Sequence, residues 1–122
     1  MAVVAHPAPE WDLSWLVIPT EEVATLGSLP AARDLAAALS WVVRLYEPLL
    51  GGVPAYAVVV RAGHIVGHLH VEVSPKSRVN VPGGFESATG FAVATRDSFE
   101  AARRVRAMAA DGLLARADGI LA

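Results

Sequence analysis

The sequence predicts a single α+β domain over residues 1–122, a mostly antiparallel sheet of about five strands with two helices on one face. Three observations carry this reading. The elements run strand, strand, long helix, three strands, helix, and strand follows strand through short turns. One long segment repeats its apolar residues at three- and four-residue steps. The 122 residues are 54% hydrophobic and 18% charged, and a chain of this size buries roughly two thirds of its unfolded surface in one core.

Ala2 to Ala5 is a short apolar run closed by Pro7 and Pro9, which suits a terminal or edge strand. Asp12 to Pro19 (DLSWLVIP) reads as the second strand, and Thr20 to Ser28 as a connector. Pro30 to Leu50 is the main helix: Ser28 suits a cap, Pro30 suits the first turn, and Gly51-Gly52 stops it. Its inward stripe is Leu35, Ala38, Leu39, Val42, Leu45, Tyr46 and Leu49. Pro54 to Arg61 (PAYAVVVR) and Gly67 to Ser74 are the next strands, joined by a turn at Gly63 to Gly67. Pro75 to Gly84 (PKSRVNVPGG) is a loop by composition, and Thr89 to Thr95 (TGFAVAT) a further strand. Asp97, Ser98, Phe99 and Glu100 resemble a capping box. It opens a helix to about Ala110, with Phe99, Ala102, Val105 and Met108 inward.

Composition removes several function classes. Formal net charge is −2 and Lys76 is the one lysine, so no basic footprint for nucleic acid or an anionic membrane exists. There is no cysteine, which excludes thiol catalysis, disulfides and thiolate-bound zinc. The first residues lack a basic start and a long apolar run, so they do not read as a signal peptide. No run of about 18 apolar residues exists to span a membrane. A soluble cytoplasmic protein is the expectation. The low charge fits either a compact single core or a surface covered by a partner; with the apolar tail (Leu113, Leu114, Ile120, Leu121) the expectation is a homodimer.

The chemistry concentrates in GHLHVEV, residues 67 to 73. Side chains alternate along a strand, so His68, His70 and Glu72 are expected on one face and Leu69, Val71 and Val73 on the other. Same-face neighbours lie about 6.5–7 Å apart, close enough for two imidazoles to meet one ion at about 2.0–2.1 Å. His64, in the preceding turn, is a candidate third nitrogen and Glu72 a candidate carboxylate ligand. The plainer reading is a solvated strand face with polar residues by chance. Against it, three of the chain's four histidines fall within seven residues. His6 stands apart and reads as a surface or structural residue. Arg78 is a candidate phosphate anchor beside the plainer reading of a solvated loop arginine. Glu86, between Gly84 and Gly90, is either a ligand-facing or a turn carboxylate.

The ordered set of pieces resembles the C-terminal half of galactose-1-phosphate uridylyltransferase, in the histidine-triad superfamily. Those pieces are the His68-Leu69-His70-Val71-Glu72 strand, Ser74 to Arg78, Gly84-Phe85-Glu86, Thr89 to Thr95, and the helix carrying Glu100, Ala101, Ala102, Arg103 and Arg104. VVAHPAPEWDLSWLVIP resembles the first two strands of that half, and Pro30 to Leu50 its long helix. The resemblance implies that His68 and His70 belong to a metal site and that Glu86 contacts a hexose. It also implies that the family's nucleophile, in a His-Pro-His motif, is missing: His6-Pro7 is followed by Ala8. In the wider superfamily the middle histidine of a His-x-His-x-His motif attacks phosphorus. By that correspondence His70 would be the catalytic nucleophile and Glu72 would stand at the last position.

Glu72 weighs against the nucleophile, because an ionised carboxylate only accepts hydrogen bonds and repels phosphate. The favoured expectation is therefore a metal-binding enzyme acting on a sugar phosphate or nucleotide. Its divalent ion, zinc or iron, is held by His68 and His70 with His64 and Glu72 in support, and its substrate is contacted by Arg78 and Glu86. One alternative is a dimeric nucleotidyltransferase or hydrolase with His70 as nucleophile. The other is a noncatalytic metal- or ligand-binding half that pairs with a separate chain.

Overall fold

The structure, a computed structural model, describes residues 1–7, 9, 12–30, 32–63, 67–76, 89 and 97–110. The described elements are β1 (Ala2–Ala5), β2 (Trp15–Ile18), a 3-10 turn (Leu26–Ser28), α1 (Ala32–Leu50), β3 (Tyr56–Arg61), β4 (His70–Pro75) and α2 (Ser98–Ala110). The four strands form one sheet in the order β1-β2-β4-β3, and every neighbouring pair is antiparallel. Both helices pack through one core cluster with Trp15 and Val17 of β2 and Val71 and Val73 of β4. This is the α+β architecture expected, with four strands among the described residues. The expected strand at Thr89 to Thr95, the loop after Lys76 and the apolar tail fall largely or wholly outside the described residues.

Helix α1 buries Leu35, Ala38, Trp41, Val42, Leu45, Tyr46 and Leu49. The stripe read from the sequence is reproduced except at Leu39, which is half-buried, and at Trp41, which joins it. The helix starts two residues after Pro30 and runs through Pro48. A proline this late removes one hydrogen bond from the last turn only. Gly51 then adopts φ +76° and donates its N–H to Glu47 at 2.8 Å, a left-handed cap that glycine takes without Cβ strain. Tyr46 is wholly buried. Its hydroxyl donates between the carbonyls of Leu13 (3.1 Å) and Val73 (3.2 Å), tying α1 to β4 and to the turn before β2. Burial pushes its phenol pKa up, since the phenolate loses its hydration.

Two expectations are corrected. The histidine strand does not begin at Gly67. Gly67 sits at φ +82° and Leu69 turns its N–H to Val23 at 2.6 Å, so pairing with the sheet starts at His70. Second, Phe99 points outward, 79% exposed. The inward stripe of α2 is Ala101, Val105, Met108 and Ala109, and Phe99 lies off it. The cap is also simpler than a full box. Asp97 Oδ1 accepts from Phe99 N at 2.9 Å, while Glu100 pairs with Arg103 rather than reaching back.

Candidate functional site

Strand β4 lies between β2 and β3, which fixes its two faces. Val71 and Val73 within it are wholly buried on the helix side, and Leu69, just ahead of it, is wholly buried as well. His70, Glu72 and Ser74 alternate with the two valines and take the opposite face. The register sets their neighbours. Arg61 of β3 is opposite His70, and Glu72 lies between Leu16 of β2 and Val59 of β3. Directly opposed residues share a face, so the Arg61 guanidinium, exposed to solvent, belongs to the same surface as the imidazole.

His68 is not part of the strand. Its Nε2 is 2.9 Å from the carbonyl of Pro19, at the end of β2. His70 Nδ1 is 3.1 Å from the carbonyl of His68. A carbonyl can only accept, so both ring nitrogens donate and the tautomers follow. His68 carries its proton on Nε2 and keeps a lone pair on Nδ1. His70 carries its proton on Nδ1 and keeps a lone pair on Nε2. A backbone acceptor that fixes a histidine tautomer in this way is the usual support of a ligating or nucleophilic imidazole.

A serine pair supports the carboxylate. Ser74 Oγ donates to Glu72 Oε1 at 3.2 Å, and Ser14 Oγ lies 2.9 Å from Ser74 Oγ. With the Ser74 proton committed to Glu72, Ser14 is the donor in the second bond. Both serines are buried, at 2% and 5% exposure. The relay therefore holds Glu72 from the side, along their shared sheet face, while the residue itself stays half-buried.

The structure thus brings His70 and Glu72 together on one strand face and places His68 at its entrance. His64, Arg78 and Glu86 lie outside the described residues. Among the described residues no group of three or more His, Asp or Glu side chains is arranged to hold a metal ion, and no helix is long and apolar enough to cross a membrane. Three contributors were not identified from the sequence. Ser74 was in phase with His70 and Glu72 and could have been found by extending the alternation. Ser14 and Arg61 depend on cross-strand register, which the sequence does not display.

The sheet with both helices on one face and a histidine strand at its centre defines the class of fold found in galactose-1-phosphate uridylyltransferase-like proteins. Solved structures share it, two of them from the same plant. An ADP-glucose phosphorylase from Arabidopsis thaliana, solved with bound ADP-glucose, superimposes with a TM-score of 0.72 at 19% identity, covering 85% of this chain and 36% of that one. A GalT-like protein from Arabidopsis thaliana gives 0.72 at 20% identity, covering 85% and 37%. The chain therefore spans little more than a third of the length of either. No protein-family model matches it, and no curated protein matches it by sequence.

Proposed function

We propose that the chain is a metal-binding enzyme acting on a phosphorylated or nucleotide-linked small molecule. The observation that carries this reading is the His70 Nδ1–H bond to the His68 carbonyl, which leaves Nε2 as a preset lone pair on the sheet face opposite the helices. The donor set suits a borderline divalent ion. Imidazole nitrogens from His70 and His68, with Glu72 and His64 in support, are groups that zinc and iron accept. Such an ion, when bound, would polarise a phosphoryl or carbonyl oxygen or lower the pKa of a water molecule. Arg61, opposite His70, would hold a substrate phosphate, as would Arg78, and Glu86 would contact a sugar hydroxyl. The bound ADP-glucose of one structural neighbour supports a nucleotide-sugar class of substrate.

The same nitrogen supports a second reading, His70 as nucleophile on phosphorus in a nucleotidyltransferase or hydrolase. The Ser74 bond to Glu72 counts against it. A carboxylate fixed as an acceptor beside His70 repels phosphate unless a cation intervenes. Metal analysis of protein never exposed to chelator separates the two. Bound zinc or iron, lost in His70→Ala and weakened roughly 10–100-fold in Glu72→Gln, is the expected result. Metal-free protein that is active and traps a phosphorus adduct on His70 would reverse the order. Metal binding without turnover, together with a co-purifying larger chain, would instead mark a noncatalytic half.

The active unit is further proposed to be a homodimer joined through β3. Tyr56, Val58, Val59 and Val60 of this edge are 39–46% exposed. Among the described residues β3 ends the sheet, and an apolar strand edge is a template for another strand. A second copy pairing antiparallel about Val58 and Val59 would place the two Arg61 side chains at opposite ends, without repulsion.

A further inference from the structure

A cavity of about 540 Å3 lies between β1, α1 and α2. Its wall is largely apolar, with Val3 from β1 and Ala102, Val105, Ala109 and Ala110 from α2. The alanines keep the helix side of the wall low, so another segment can lie close against it. The cavity is remote from His70. Val3 is paired with Val17, and Val17 belongs to the core under the helices.

Residues 111–122 follow α2 outside the described residues. They read DGLLARADGILA. Leu113, Leu114, Ala117, Ile120 and Leu121 stand at steps of one, four, seven and eight, the apolar stripe of a helix. Arg116 and Asp118 fall on its flanks. The nine residues 113–121 are too few to hold a helix in water unaided, so this stripe needs a surface to fold against. Asp111 and Gly112 make a two-residue connection, a length that joins antiparallel helices. Glycine at the second place after a helix takes the left-handed conformation that turns the chain back.

We propose that residues 113–121 form a short amphipathic helix that folds back antiparallel to α2 and closes the cavity of its own chain. Eight steps of helix rise about 12 Å, which returns Leu121 to the level of Ala102, eight residues before Ala110. Leu113 and Leu114 then lie against Val105 and Ala109, and Ile120 and Leu121 against Ala102 and Val3. Asp118, on one flank, offers a carboxylate to Arg106, which lines the cavity and is exposed. The tether decides between this occupant and a second copy. Ala110 ends α2 and already lines the wall, and so short a linker gives an effective concentration on the order of millimolar.

The chain has no cysteine, so two introduced thiols report cleanly on proximity. A disulfide requires Cα atoms about 4.4–6.8 Å apart. In Ala102→Cys/Leu121→Cys, oxidised glutathione should close a disulfide within one chain at least about tenfold faster than in Val59→Cys/Leu121→Cys. Val59 lies on β3, at the other end of the described sheet from β1. Mass spectrometry of non-reduced digests reads the pairing. Leu114→Asp/Ile120→Asp should open the cavity and bind one more equivalent of an apolar fluorescent dye than the unmodified protein. Equal closure rates in the two cysteine pairs would overturn the proposal. So would a disulfide joining two chains, which would give the cavity to a second copy, or a dye stoichiometry unchanged by the two aspartates. The cysteine pairs decide by themselves if the aspartates unfold the chain.

Discussion

Strands β3 and β4 are paired along all six residues of each, yet they have opposite fates. β3 reads YAVVVR and is the more apolar, but five of its six residues are exposed. β4 reads HVEVSP and is the more polar, but four of its six are buried. Apolarity alone therefore does not assign depth in a sheet. Position in the strand order does: β4 has neighbours on both sides and helices beneath, whereas β3 has β4 on one side only among the described residues. The polar alternation of β4 gives one strand both a core face and a chemical face. The unbroken valines of β3, a pattern usual in strands buried on both sides, leave apolar surface on both faces of an edge.

The largest expected effect breaks the comparison at its centre. Val71→Ala should lower unfolding free energy by about 2 kcal/mol in a urea titration, from lost transfer energy and the cavity left behind. Val59→Ala, the same chemical change on β3, should stay within about 0.5 kcal/mol under monomeric conditions. Comparable losses at both positions would mean that the two strands are equally buried in solution. Next in size, Val59→Lys should weaken self-association about tenfold or more by light scattering without unfolding the chain, since an edge lysine opposes strand addition. An unchanged or already monomeric species would remove the proposed β3 interface.

Tyr46→Phe reports on the anchor beneath β4. It should cost about 1 kcal/mol at neutral pH by removing the hydroxyl shared between Leu13 and Val73. The alkaline limb should change as well. Burial keeps the folded phenol protonated, so above about pH 10 the unfolded chain releases a proton that the folded chain retains, and stability falls as pH rises. The variant should lose that part of the decline, as read from urea midpoints across the alkaline range. The smallest effect belongs to Ser14→Ala, about 0.5 kcal/mol of stability with a severalfold loss of zinc affinity by calorimetry. No change in affinity would detach the serine relay from the site.

The alternation of His70, Glu72, Val71 and Val73 was legible because strand periodicity is local. So was the stripe of α1, where helical spacing alone selects Leu35, Ala38, Val42, Leu45, Tyr46 and Leu49. What failed depended on partners far away in the chain. His68 was read onto the strand, but the Leu69 N–H is taken by Val23, 46 positions earlier. Phe99 was read inward because a large apolar residue in a first turn commonly is, whereas the small residues Ala101 and Ala109 allow the close approach of α2. The carbonyl of Pro19, the hydroxyl of Ser14 and the guanidinium of Arg61 enter the site through strand pairing, and no periodicity announces them.

The two supports of the site also differ in when they become available during folding. The carbonyl that orients His70 is two residues away, within the local β3–β4 hairpin, so this part closes a short loop. The Ser14–Ser74 bond spans 60 positions and waits for β2 to dock on the far side of β4. Contacts of large sequence separation pay more loop-closure entropy and form later. The imidazole is thus oriented by an early, autonomous piece of the chain, and the carboxylate beside it by a late one. In native-state hydrogen exchange, the amides of Trp15 and Val17 should open at lower free energy than those bonded between β3 and β4, and each such opening would release Glu72 while leaving His70 in place.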